Sequence, residues 1–291
     1  MRVSKKCLIC NKGKKNDTLY WHRDEDSGDI WVWCNKCQRG YSLHSYCHIA
    51  GVDLAQFLKG DFDFVSDSPN ELRVVSWPST FVPLIDRRAE KGIEYLKKRG
   101  LTLDADVYYD IEEEGLVFPY YFEDHFCGAQ IRFLQERVKE DGDTWKITTM
   151  PGTRLGLLFG LWNQKAFVTD IKAIVVCEGY INALSLQQAF NSIYGGIHTN
   201  PWKFICASGS GLSQHQAEAL KELKEKGYKV VCAADSDEGG LKMLSKMKDL
   251  EVITHYSLTQ DNELDWNDFL IKEGRKNLTK LFLSNLRKAD E

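Results

Sequence analysis

From residue 166 onward, short apolar runs alternate regularly with helical stretches. Runs at 173–177 (AIVVC), 202–206 (WKFIC), 228–234 (YKVVCAA) and 251–258 (EVITHYSL) have strand length and β-branched or aromatic content. The segments between them carry helical periodicity with glycine or polar punctuation. This alternation predicts an α/β unit over 166–275 with a largely parallel sheet. Upstream, 84–165 reads as a mixed subdomain, with a helix around EKGIEYLKKRG and strand-like runs GLVFPYYF and CGAQIRFL. Residues 61–83 mix turn formers with one short apolar run and predict a linker. Residues 1–60 form a separate small domain ending in a predicted helix, LHSYCHIAGVDLAQFLKG. The closing segment, 276–291, predicts an amphipathic helix through Leu278, Leu281, Phe282 and Leu286, docked on the preceding unit.

Composition narrows this picture. At 291 residues and 43% hydrophobic content the chain can bury a real core. A net charge of −4 gives no global attraction to nucleic acid, so any such binding must be local. One basic run, Arg2 to Lys15, contains no acidic residue. No stretch reaches membrane-span length and no signal peptide is visible. Nine cysteines without an export signal argue against a disulfide framework, and a reducing cytoplasm is the expected location.

Two CxxC pairs, Cys7 with Cys10 and Cys34 with Cys37, have the spacing of a four-thiolate zinc site. The span between them, with TLYWH and DIWVWC, can supply antiparallel strands as in a zinc ribbon. So small a domain has little core, and the metal would provide much of its folding free energy. His22, His44, Cys47 and His48 are not needed, because four thiolates already close a structural site. Trp31 and Trp33 share one strand face and suit packing of the ribbon, with base stacking the alternative.

A second cluster is acidic. Glu178 follows the run 173–177 and leads through Gly179 into a helix, whereas Asp235 and Asp237 follow the run 228–234. Asp265 and Asp268 come just after the last run. In open α/β sheets the carboxyl ends of the strands form the functional edge, where these groups should converge. Clustered carboxylates repel one another unless cations neutralise them, and magnesium or manganese suits all-oxygen ligands. The expected ligands are Glu178, Asp235, Asp237 and Asp265.

These residues in this order resemble the toprim fold: glutamate-glycine after one strand, Asp-x-Asp after a later one, then Asp-Trp-Asn-Asp, with the glycine-rich ASGSGLSQHQ (207–216) between. The upstream parts resemble DnaG-type and phage-type primases. IEYLKKRGLTLD is similar to the helix opening their polymerase domain, and LVFPYYFEDHFCGAQIRFL with WKITTMPGTRLGLLFGL is similar to their pre-toprim stretch. The fold class expected is therefore α/β: a small four-cysteine zinc ribbon followed by a primase catalytic core with a toprim domain.

The resemblance implies a DNA primase. It would synthesise short RNA primers on a single-stranded DNA template from ribonucleoside triphosphates, by metal-dependent nucleotidyl transfer. Zinc would be structural and magnesium or manganese catalytic. Asp235 and Asp237 would hold metal, with Asp265, and Glu178 would either bind metal or accept the proton of the attacking hydroxyl. Arg132 and Lys146 would match the family's nucleotide- and template-binding surface, with Arg154 a weaker addition. Lys97, Lys98 and Arg99 would neutralise phosphates. No phosphate loop of helicase type occurs in the sequence, so a replicative helicase and DNA polymerase of a bacterial or bacteriophage system are expected as separate partners. A toprim nuclease and a zinc-and-toprim recombination mediator are the alternatives.

Overall fold

The structure is a computed structural model that describes residues 2–4, 19–23, 30–34, 39–42, 75–103, 106–122, 125–138, 144–151, 153, 156–161, 171–209, 211–259 and 264–290. The chain divides into two compact units, Met1–Leu72 and Arg73–Glu291.

In the first unit, β1 (Arg2–Ser4), β2 (Leu19–Arg23), β3 (Ile30–Cys34) and β4 (Arg39–Ser42) form an antiparallel sheet in chain order. The register sets Trp33 opposite Tyr20 and Gly40, and Trp31 opposite His22 and Ser42. Val32 between them is fully buried. Cys34 closes β3, but its side chain lies outside the described residues. So do Cys7, Cys10 and Cys37, the helix expected near 43–60 and Arg154.

The second unit contains two sheets. In the first, β5 (Phe81–Pro83), β6 (Tyr108–Asp110), β7 (Gly115–Phe122), β8 (His125–Val138) and β9 (Thr144–Thr149) pair antiparallel in chain order. The ladder between β7 and β8 is irregular at Tyr120: Pro119 pairs with Ala129 and Tyr121 with Phe126. Two residues of β8 therefore oppose Tyr120, the count of a β-bulge, and one of them is Gly128 at φ +107°. Helix α1 (Glu90–Lys98) crosses to β8.

The second sheet has the order β11-β10-β12-β13-β14, with β10 (Ala173–Cys177), β11 (Trp202–Cys206), β12 (Lys229–Ala234), β13 (His255–Leu258) and β14 (Arg287–Lys288). The first four are parallel, and β14 runs antiparallel to β13. Every residue of β10 is buried, as a strand covered on both faces requires. On one face Ile174, Val176, Val230 and Cys232 pack against Leu220 of α3 (Gln214–Glu225) and Met243 and Met247 of α4 (Glu238–Asp249). Towards α2 (Tyr180–Tyr194) and α5 (Trp266–Ser284), an aromatic cluster joins Phe190, Phe204, Trp266 and Phe282.

The segment 276–291 is helical to Ser284, with Leu286 past the helix end. It continues α5 past a kink at Gly274, whose φ of +78° suits a residue without Cβ, and ends in β14. Leu278, Leu281 and Phe282 are buried there. The small β14 was not visible as an apolar run, because both of its residues are basic and exposed.

The chain leaves β10 for β11 on one side, then crosses back to β12 on the other. Loops after β10 and β12 therefore diverge, opening a crevice at the carboxyl end of the sheet. Glu178 and Asp235 directly follow these two strands, β10 and β12.

Candidate active site

Each acidic residue is set by the local structure that ends its strand or begins its helix. Glu178 follows β10, and its main-chain oxygen accepts from Gly209 N at 3.0 Å and from Cys206 Sγ at 3.1 Å. Asp237 is the N-cap of α4, accepting from Gly240 N at 2.7 Å. Asp265 is the N-cap of α5, accepting from Asp268 N at 2.7 Å. Capping alone accounts for an aspartate at either position.

Gly239 and Gly240 show how closely these groups gather. A Cβ placed on Gly239 would lie 3.5 Å from Asp237 Oδ1 and from both carboxylate oxygens of Glu178. The two carboxylates thus flank one glycine. A Cβ on Gly240 would lie 2.6 Å from the Asp235 amide nitrogen, so only glycine fits beneath the Asp235 turn.

Asp235 is the electrostatic centre. Burial, followed by the carboxylates of Asp265, Asp237 and Glu178, pushes its pKa up to about 7. Burial and Asp237 raise Glu178, and burial is the largest cause raising Asp265. Four carboxylates of like charge, three held partly out of water and Asp237 exposed beside them, have the chemistry of a hard divalent-cation site. Among the described residues, no three His, Cys, Asp or Glu side chains close into a ready coordination group. The fit therefore rests on donor chemistry and mutual repulsion.

A neutral amide network supports this centre. Asn182 Nδ2 donates to Asp235 Oδ1 at 3.3 Å and to Oδ2 at 3.0 Å. Asn182 Oδ1 accepts from Asn267 N at 3.2 Å. Asn267 Nδ2 in turn donates to Ser185 Oγ at 2.9 Å and to the Arg99 main-chain oxygen at 2.8 Å. Sequence reasoning did not single out Asn182 or Ser185. Their signal is three-residue spacing of polar side chains in a helix whose residues 180–190 are all buried, a pattern that demands buried partners.

The basic residues are distributed differently. Arg99 donates to Asn267 Oδ1 at 3.2 Å and lies 3.9 Å from Asp268, at the rim of the acidic group. Lys97 and Lys98 are exposed in the last turn of α1, a favourable place for cations on dipole grounds alone. Arg132 Nε donates to Tyr95 of α1 at 3.0 Å, and Lys146 pairs with Glu136 at 2.6 Å. Glu136 feels both: Lys146 is the chief cause lowering its pKa, and Arg132 adds to it. Arg132 and Lys146 are thus electrostatic neighbours around one exposed carboxylate.

Residues 175–270 match the family model described as Toprim-like. No curated protein sequence matches the chain significantly. Among solved structures, the RNA polymerase domain of Mycobacterium tuberculosis primase DnaG is similar at a TM-score of 0.52 and 17% identity, covering 71% of this chain and 79% of that one. The same domain in complex with double-stranded DNA gives 0.50 and 18%, covering 71% and 76%. A structure described as the DnaG catalytic core gives 0.50 and 16%, also covering 71% and 76%. The fold is that of a DnaG-type primase catalytic core. At this level of identity the likeness concerns architecture, with the α/β toprim domain as its second half. No described helix is long and apolar enough to cross a membrane.

Proposed function

We propose that the chain is a DNA primase that joins ribonucleotides into short RNA primers on single-stranded DNA. The observation that carries this reading is the group of Glu178, Asp235, Asp237 and Asp265 at the switch point of the parallel sheet, with the Asp235 pKa raised to about 7. Such a group is unfavourable unless cations complete it. The primase-core architecture supports nucleotidyl transfer as the use made of it, and the DNA complex of the M. tuberculosis domain supports DNA as the polymer bound.

Asp235, Asp237 and Asp265 would hold magnesium or manganese. Bound there, the ions would supply charge neutralisation at the phosphate and a lowered pKa for the attacking hydroxyl. Glu178 would share in holding them or take the hydroxyl proton; its raised pKa suits a proton acceptor. Arg132, Lys146, Lys97, Lys98 and Arg99 would bind phosphates of nucleotide, primer or template. In the N-terminal unit, Cys7, Cys10, Cys34 and Cys37 would hold a structural zinc, and the unit would engage template. A separate helicase and DNA polymerase would be its working partners.

Incubation with single-stranded DNA and labelled ribonucleotides tests the reading. Short labelled RNA supports it. Shortened DNA would indicate a nuclease, and a mobility shift alone a recombination mediator.

A further inference from the structure

Three hydroxyls meet between the two sheets of the second unit. Tyr120 of β7, Tyr180 at the start of α2 and Ser208 after β11 form a closed ring. Tyr120 Oη lies 2.5 Å from Tyr180 Oη, Tyr180 Oη lies 2.8 Å from Ser208 Oγ, and Tyr120 also bonds Ser208. Gln130 Oε1 of β8 lies within hydrogen-bond reach of both tyrosine hydroxyls, so the three hydroxyl protons are shared among the ring and this acceptor, and its Nε2 donates to Thr149 of β9 at 3.1 Å. Both tyrosine side chains are buried, so each hydroxyl needs a protein partner.

Two features show that the ring is constructed at some cost. Tyr120 stands opposite the β-bulge that β8 makes at Cys127 and Gly128, where the regular pairing of the two strands is interrupted. Ser208 has φ +63°, left-handed backbone that a side chain rarely adopts. Glycines at 209 and 211 show that this loop readily uses residues free of that penalty. Serine at 208 therefore brings something glycine would not, and the only group it adds is the hydroxymethyl that completes the ring.

The ring grips the Glu178 turn from both sides. Tyr180 lies two residues after Glu178. Ser208 lies in the loop whose Gly209 N and Cys206 Sγ bond the Glu178 main-chain oxygen and whose Ala207 N bonds that of Cys177 at 3.0 Å. On the opposite sheet, Gln130 lies two residues before Arg132 on β8, on the same strand face. Phe118 stacks on the Tyr180 ring with centroids 4.2 Å apart, closing the same joint with apolar contact.

We propose that the Tyr120–Tyr180–Ser208 hydroxyl ring is a positioning device that fixes the Glu178 turn against the strand carrying Arg132. Tyr120 and Ser208 are positioning residues, acting through the Glu178 backbone and touching no reacting atom. The inference rests on the reading of Glu178 as part of a divalent-cation site.

The test is manganese binding to the full chain, followed by electron paramagnetic resonance, with thermal unfolding and ribonucleotide incorporation measured beside it. Tyr120→Phe removes one hydroxyl and keeps the aromatic ring; Ser208→Gly removes another and relieves the backbone. Each should weaken manganese binding about tenfold, the usual cost of losing an outer partner of a metal site, while unfolding stays cooperative. The double variant should bind no more weakly than either single one, because a ring is broken only once. Unchanged manganese affinity in both variants, or additive losses in the double, would overturn the proposal. A wild-type chain that binds manganese yet joins no ribonucleotides would refute the priming reading and leave the ring to be judged on binding. A wild-type chain that binds no manganese overturns both.

Discussion

Asn182 presents its side-chain amide to both oxygens of the Asp235 carboxylate, at 3.3 and 3.0 Å. A neutral donor thus sits where a fifth charge would be intolerable, beside a carboxylate already crowded by three others. Hydrogen bonds to charged groups contribute roughly 1.5–3 kcal/mol. Asn182→Ala should cost about that much stability and leave the Asn267 amide without its buried acceptor. Asn182→Asp should be worse at pH 8 than at pH 6, because the new carboxylate adds to the repulsion when ionised. Melting of the metal-free variants at both pH values checks this; equal loss at both would show that charge is not the issue.

The raised pKa of Asp235 sets a direction for pH dependence. Its folded value is about 7, against roughly 3.9 in an unfolded chain, so between these the folded state binds the extra proton. Metal-free stability should therefore fall as pH rises from about 4 to about 7. Glu178 and Asp265, also raised, act in the same direction. Divalent cations compete with that proton, so their affinity should drop by up to about tenfold per pH unit below 7. Asp235→Asn should flatten the metal-free stability profile and raise the melting temperature near pH 8. A profile unchanged by that substitution would contradict the assignment.

The two glycines of the Asp235 turn should respond in opposite ways. Gly240→Ala drives a methyl into the Asp235 backbone, 2.6 Å from its nitrogen, and should cost about 1–3 kcal/mol or more as the turn is forced apart. Gly239→Ala meets only carboxylate oxygens at 3.5 Å, ordinary contact distance, so the fold should survive. Its methyl stands between Glu178 and Asp237, and manganese binding should weaken. Thermal melting and cation titration of the pair distinguish a structural glycine from one that leaves room between ligands.

The N-terminal unit should carry one zinc ion per chain. Cys34→Ser should release it and unfold the sheet of β1 to β4, leaving the second unit folded. Elemental analysis of the whole chain, purified without chelator, decides this; zinc lost only on changing His44 or His48 would mean different ligands.

Much of this architecture was legible because buried parallel strands announce themselves as unbroken apolar runs. AIVVC and YKVVCAA are such runs, and the acidic residues that follow them fall where the parallel order puts the functional edge. The helix over EKGIEYLKKRG and the strands GLVFPYYF and CGAQIRFL were equally readable. What sequence could not supply is long-range pairing. Asn182 finds Asp235 across 53 positions, and Tyr120 finds Ser208 across 88. No local pattern encodes those separations. Arg99 looked like a free cation beside Lys97 and Lys98, and only the fold brings Asn267 and Asp268 to it. β14 escaped because its pairing with β13 comes from the path of α5 past Gly274, with no apolar signal of its own.

The central claim is that the carboxylates at the end of β10 and β12 drive ribonucleotide joining on a DNA template. The most direct measurement is primer synthesis by the full chain on a panel of short single-stranded DNA templates, with labelled ribonucleotides and magnesium or manganese. Asp235→Asn and Asp237→Asn are the paired controls, each losing a charged oxygen ligand while keeping its size. Short RNA made by the wild-type chain and abolished in both folded variants is the result this account predicts. Normal synthesis by both variants, or no RNA from the wild-type chain on any template, would contradict it.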